Sequence, residues 1–259
     1  MATLADLAKS SLVKIMVIGD SGSGKTGSLA SLAAAGYHLH IVDMDDGLAP
    51  LAHILTATAP AALSQVDFES LRDSYSVQGG ELKVKRPATA YKRAAELLNK
   101  WIDGTTPSEW GKDHIFVVDS LTLLGRAALA QAETLAPNVK DPRQWYAAAQ
   151  KAIENYLACL FSPEFRTNVI VLSHITDIEL NDGSRKGFPA AVGQALSRHI
   201  AKYLNDLFIV ETRGTGANVR RVIRTVPNGH VDAKTSALTL EKELPIETGL
   251  ATIFAALRG

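Results

Sequence analysis

The segment Gly19-Asp20-Ser21-Gly22-Ser23-Gly24-Lys25-Thr26 fits G-x-x-x-x-G-K-[ST] at every fixed position. Glycines let the backbone curl until successive N–H groups point inward at anionic oxygens, and a helix start adds partial positive charge. Lys25 is read as the only side-chain cation of this cradle, reaching the β- and γ-phosphates, and the Thr26 hydroxyl as a ligand of Mg²⁺. Gly27 completes the binding segment. This chemistry points to a nucleoside triphosphate with Mg²⁺. No N-K-x-D stretch that would read guanine is present, so ATP is the expected nucleotide.

A phosphate loop needs a second metal-side carboxylate at the end of a buried strand. His114-Ile-Phe-Val-Val-Asp119 supplies four apolar residues and then the acid, which makes Asp119 the second Mg²⁺-side group. Many ATPases place a water-orienting glutamate next, whereas here the residue is Ser120, so the base has to come from elsewhere. Asp43, Asp45 and Asp46 stand at the end of an apolar run, and in α/β sheets that edge is where ligands bind. Further along, Arg185, Lys186 and Phe188 put two cations beside one aromatic ring. Such a group would hold single-stranded nucleic acid by phosphate contact and stacking; the other reading is a solvated loop with Phe188 tucked onto the core.

The elements that must position these residues follow from the pattern. Residues 12–18, 38–43, 114–119 and 168–172 are short apolar, β-branched runs that read as buried strands. Residues 29–35, 47–57, 91–104 and 121–135 read as helices. Asp141 and Pro142 start another, as N-cap acid and first-turn proline. Residues 60–86 are mixed, with a short strand near 66–68, and residues 176–189 read as a glycine-rich polar loop. A helix follows over 192–204, then a hairpin of 207–213 and 219–225. Strands alternating with helices argue an α/β fold with a mostly parallel sheet and an antiparallel edge.

The chain's 259 residues, 46% apolar and 21% charged, suit one domain over 1–259. Equal numbers of acidic and basic residues exclude a global pull toward nucleic acid or membrane. The distribution is uneven: residues 183–234 hold nine Lys/Arg against three acids, a basic quarter unless folding disperses it. The single cysteine, Cys159, reads as a buried, inert thiol suited to a reducing compartment. The N-terminal stretch lacks a signal-peptide pattern and no segment approaches the roughly 20 apolar residues of a membrane span, so a soluble, cytoplasmic protein is expected. The six histidines other than His174 show no metal-ligand spacing.

The order of motifs resembles the RecA-type ATPase core: phosphate loop, a strand ending in Asp43-x-Asp45, VVDSLT (117–122), VIVLSH (169–174), then a hairpin. KGFPAAVG (186–193) and PNGHVDAKT (227–235) bring it closer to the small RecA-like ATPases of bacteriophages linked to single-strand annealing and recombination. The resemblance covers about residues 12–240. It implies a RecA-like P-loop NTPase core with a twisted sheet, and Asp45 in the place of the water-activating glutamate, one methylene shorter. Asp43 and Asp46 stay open as substitutes. It also implies that His174 senses the γ-phosphate and leads into a DNA-contacting segment, and that Lys234 reaches into a neighbour's ATP site; plain polar and surface roles are the alternatives. The partners it implies are single-stranded DNA, further copies of the chain, and a single-strand binding protein or other recombination partner, in the host cytoplasm if phage-encoded. An ATP-dependent switch that recruits a protein with little turnover is the rival reading. A small-molecule kinase fits less well, because no arginine-rich lid lies between Asp119 and Ser173.

Overall fold

The computed structural model describes residues 12–259; the N-terminal residues 1–11, on which the absence of a signal pattern was read, lie outside them. In chain order, β1 (Lys14–Gly19) leads through the glycine loop into α1 (Lys25–Ser28) and α2 (Ala30–Ala34). Then come β2 (His38–Asp43), α3 (Ala49–Thr58), β3 (Val66–Ser70) and a small hairpin of β4 (Tyr75–Gln78) and β5 (Glu81–Val84). α4 (Ala90–Asn99), β6 (Gly111–Asp119), α5 (Leu121–Leu135), α6 (Arg143–Phe161) and β7 (Thr167–Ser173) form the middle of the chain. The last part holds β8 (Ile175–Glu179), β9 (Arg185–Pro189), α7 (Gln194–His199), β10 (Asp206–Arg213), β11 (Arg220–Arg224), β12 (Glu243–Pro245) and α8 (Gly249–Arg258).

Eight strands form one sheet in the order β12-β11-β10-β1-β7-β6-β2-β3. All pairs from β10 to β3 are parallel, and β10, β11 and β12 pair antiparallel. The expected mostly parallel sheet with a late antiparallel edge is therefore what the chain forms. Its parallel strands are apolar on both faces because both are covered. Met16, Ile18, Phe116, Val118, Val169, Val171 and Ile209 face the layer built from α4, α5, α6 and α7. Their neighbours Ile15, Val17, Ile115, Val117, Ile170, Leu172 and Phe208 face α2, α3 and α8. Period-two alternation thus feeds two cores from one set of strands.

Register then sets the site. Ile18 pairs with Ser173, Leu172 with Asp119, and Asp119 with Asp43, so four strands end level on one edge. One strand, β7, separates the strand of the phosphate loop from the strand ending in Asp119. At the opposite edge the buried His40 ring lies 2.8 Å from His114 and 3.0 Å from the half-exposed Asp67 carboxylate, and Trp110 stacks on it at 3.8 Å.

Several local expectations are corrected. Residues 176–189 form the β8/β9 hairpin rather than a loop, with Ile178 buried beneath it. The helix expected to reach Gly104 ends at Asn99, because Lys100 is extended and the Trp101 N–H bonds the Thr105 carbonyl at 2.9 Å. The helix over 192–204 is a short α7 continued by a 3₁₀ turn at Ile200–Tyr203. In residues 60–86 the short strand expected near 66–68 is β3, and a 3₁₀ turn and the β4/β5 hairpin accompany it. Cys159 is exposed on α6, not buried. No helix among the described residues is long and apolar enough to cross a membrane.

Candidate functional site

The phosphate loop has the conformation its glycines allow. Gly22 and Gly24 sit at φ 75° and 103°, where a side chain is strained. A Cβ on Gly19 would lie 2.5 Å from the Val210 carbonyl oxygen and 2.7 Å from Ser23 Oγ, so the strand-to-loop bend also requires glycine. Asp20 and Ser21 at the tip are exposed, and Gly27 sits in the first turn of α1.

Lys25 is 6% exposed and its ammonium donates to the Gly19 and Asp20 carbonyls, both at 2.9 Å. Desolvation lowers its pKa, opposed by the charges of Asp119, Asp45 and Asp20. The Thr26 hydroxyl donates to Asp119 Oδ2 at 2.7 Å. Asp119 is buried at the end of β6, and burial, reinforced by Asp45 and Asp43, pushes its carboxyl up to about 6 against the pull of Thr26 and Lys25.

The three aspartates after β2 separate by geometry. Asp43 is 1% exposed; its oxygens accept from the Asp45 and Gly47 N–H groups and, at 2.7 Å, from the Ser70 hydroxyl. Asp46 is exposed in a left-handed turn at φ 54°. Asp45 alone enters the site: Ser120 Oγ donates to Oδ1 at 2.8 Å, and His174 Nε2 lies 3.2 Å from Oδ2. A carboxylate only accepts, so His174 presents Nε2–H to Asp45 and turns Nδ1 toward the Lys25 ammonium at 3.5 Å. Desolvation pushes the Asp45 carboxyl up, but the bonds from His174 and Ser120 outweigh it and hold its pKa below the ordinary aspartate value. Asp119, Asp45, His174 and Lys25 are therefore one polar group spanning β6, β2, β7 and α1.

His174 is fixed from behind. Its N–H donates to Thr122 Oγ1 at 3.1 Å, its carbonyl accepts from the Ala190 N–H at 2.8 Å, and Ser173 Oγ donates to the Ala190 carbonyl at 3.1 Å. Ser120 and Thr122 flank the start of α5, and neither role was legible in the sequence. Ser120 stood out there only for not being glutamate.

The remaining sequence candidates lie further out. Arg185 is exposed at the start of β9, Phe188 is half-buried, and Lys186 is engaged by Asp232 at 2.6 Å. Lys234 is exposed and its ammonium donates to the Ala201 carbonyl at 2.7 Å on its own chain. The basic quarter is dispersed rather than gathered. Lys202, Arg213, Arg220 and Arg224 pair with Glu154, Glu211 and Glu243, and Arg198 donates to the Glu179 carbonyl. Beside the loop, the stem of Arg221 packs against Gly24. A polar cleft of about 420 Å³ opens beside the loop tip, lined by Asp20, Ser21, Ser23, Asp177, Glu211 and His230.

The residues present fit a bound nucleotide with its metal. Among the described residues Ser23 Oγ, buried in the loop, has no hydrogen-bond partner, although buried polar groups are normally paired. Glycine is needed at Gly19 and Gly24 to keep the loop's shape, since a Cβ there would lie under 3 Å from Val210 and Ile246.

No family model matches the chain, and no curated protein matches it by sequence. Among solved structures it is similar to a KaiC-like protein of Pyrococcus horikoshii, at 9% identity and TM-score 0.43, over 90% of this chain and 84% of that one. It is similar to the flagellar accessory protein FlaH of Methanocaldococcus jannaschii, at 11% identity and TM-score 0.44, over 92% and 88%. An ATPase of a bacterial type III secretion system is similar at 16% identity and TM-score 0.44, over 79% of this chain and 55% of that one.

Proposed function

We propose that the chain is a Mg-ATP-dependent ATPase of the RecA-like kind. One observation carries the reading: Lys25, His174 and Asp45, up to 149 positions apart, form one hydrogen-bonded chain, and Thr26 with Asp119 a second, on one sheet edge beside a phosphate-loop backbone. Thr26 and Asp119 would hold Mg²⁺, which when bound neutralises charge on the β- and γ-phosphate oxygens. The loop N–H groups and Lys25 bind and orient the polyphosphate. Asp45 is placed to hold a water near the terminal phosphate and to take its proton as the water oxygen bonds phosphorus and the β–γ bridging bond breaks. A carboxylate held below its ordinary pKa is poorly matched to strong proton abstraction, so Asp45 contributes chiefly orientation. His174 joins Asp45 to Lys25 and so couples the water side to the phosphate side.

The finer reading is that single-stranded DNA stimulates this turnover. Its support is the continuity of His174 with β8 and the exposure of Arg185 on β9. With Lys186 held by Asp232, Arg185 and Phe188 carry that contact.

Phosphate release measured with and without a labelled oligonucleotide tests both readings. ATP turnover should be abolished in Lys25→Ala. Turnover that survives this change rejects the ATPase assignment. Turnover that DNA leaves unchanged, without DNA binding at low salt, rejects the DNA reading and favours the protein-recruiting switch.

A further inference from the structure

Seven of the nine cations between residues 183 and 234 are already engaged, by Glu154, Glu211, Glu243 or Asp232 or by the Glu179 and Ala201 carbonyls. Arg185 and Arg221 have no side-chain partner among the described residues. Arg185 stands on the β8/β9 hairpin, but Arg221 stands at the phosphate loop.

The fold explains why. β11 runs antiparallel to β10, which lies beside β1. Val210 pairs with Gly19, the first residue of the loop, and Thr212, two residues further along, pairs with Arg221. The start of β11 therefore overhangs the loop rather than the sheet. Alternation does the rest. Arg220, Val222 and Arg224 share one face, where Arg220 and Arg224 meet Glu243. Arg221 shares the other face with Ile223, a residue of the core under α2 and α8. A Cβ built on Gly24 would lie 3.0 Å from Arg221 Cδ, 3.6 Å from its Nε and 2.8 Å from Ile246 Cδ1. The stem of Arg221 and the Ile246 side chain thus rest directly on the residue that precedes Lys25, and the guanidinium extends from there.

We propose that Arg221 is a second cation of the nucleotide site, acting in the same chain and gripping the polyphosphate from the flank of the loop away from Asp119 and Asp45. The proposal rests on the nucleotide-binding reading above. A planar guanidinium matches phosphate oxygens in a two-pronged way that an ammonium does not. Arg221 has a neighbouring anionic site to serve only when a ligand is present. Within β11 it is set apart from Arg220 and Arg224, which share Glu243 on the opposite face of the strand. A cleft of roughly 560 Å³, a size ordinary for small-molecule sites, lies beside Arg221 and Ile246, with Glu241, Glu243 and Glu247 also in its wall.

The test compares wild type, Arg221→Gln, Arg221→Lys and Lys25→Ala. Mg-ATP affinity is measured by calorimetry, and inorganic tripolyphosphate is titrated as a competitor of a fluorescent ATP analogue. Arg221→Gln should weaken both ATP and tripolyphosphate about tenfold or more, a 1.4 kcal/mol change. Arg221→Lys should recover part of each, and the melting temperature should hold, since Arg221 is exposed. Unchanged ATP affinity in Arg221→Gln overturns the proposal. So does a loss of ATP affinity with tripolyphosphate competition intact, which would move Arg221 to the nucleoside. A wild-type protein that binds neither ligand overturns the nucleotide reading itself and the proposal with it, whereas Lys25→Ala losing affinity while Arg221→Gln keeps it removes only the latter.

Discussion

At the scale of single residues the site concentrates charge in a place water barely reaches. Asp119 shows the cost. Its folded pKa, about 6, lies above the ordinary 3.8, so the folded protein holds that proton more tightly than the unfolded chain. Stability therefore falls as pH rises from about 4 through 6, and the full penalty stands above 6. Asp119→Asn should stabilise the nucleotide-free protein in chelator by about 1–3 kcal/mol at pH 8, with the gain vanishing near pH 4. Urea unfolding at both pH values measures it; a variant no more stable at pH 8 rejects the account. Asp45→Asn should keep ATP affinity and lower turnover by about 10²-fold or more. Near-normal turnover would take Asp45 out of the chemistry, and the burial of Asp43 leaves no ready substitute. The loop and Asp119 were legible because backbone curvature and a strand-end acid each leave a local pattern. The choice of Asp45 over Asp43 and Asp46 was not, since it depends on Ser70, Ser120 and His174 arriving from distant strands.

At the scale of elements, the buried strands were readable because apolar β-branched runs have few other places to go. The β8/β9 hairpin was not. Arg185-Lys-Gly-Phe-Pro189 lacks alternation, and cross-connections to the segment 228–232 hold the hairpin instead of burial alone. The Gly187 N–H donates to the His230 carbonyl at 2.9 Å, His230 Nε2 lies 2.8 Å from Asp177, and Lys186 meets Asp232. Gly187 permits this approach: a Cβ there would lie 2.7 Å from Val231 Cγ2 and 3.0 Å from Ile175 Cγ2. Gly187→Ala should lower stability by about 1–3 kcal/mol, as overpacking does. Thermal unfolding measures the change, and an unshifted melting temperature would mean the hairpin is not braced there.

At the scale of the whole molecule, one sheet divides two apolar layers, and its centre is the best protected part. β1, β7 and β6 are covered on both faces and paired on both sides. The β4/β5 hairpin lies outside the main sheet, with Tyr75, Val77 and Leu82 at 65%, 72% and 73% exposure. Hydrogen exchange should follow this order, with amides of β1, β6 and β7 the last to exchange, near the global unfolding free energy, and those of β4 and β5 among the first. Equal protection of the two regions would contradict the layering. The layered α/β class was evident from strand–helix alternation, whereas strand order was not, because nothing local in residues 167–173 marks β7 as the strand that separates β1 from β6.

The exposed cysteine gives the molecule a practical address. Cys159 is the chain's only thiol, and the adjacent Leu160 carbonyl accepts from Lys14 at the start of β1, the sheet edge remote from the loop that leaves β1 at Gly19. Solvent reaches it, yet its surroundings desolvate the thiolate enough to raise its pKa, with the Lys14 charge opposing. A maleimide dye coupled at mildly alkaline pH would therefore label one defined position. Its rotational signal would report changes in the molecule's tumbling while the phosphate-loop edge stayed free of chemical modification.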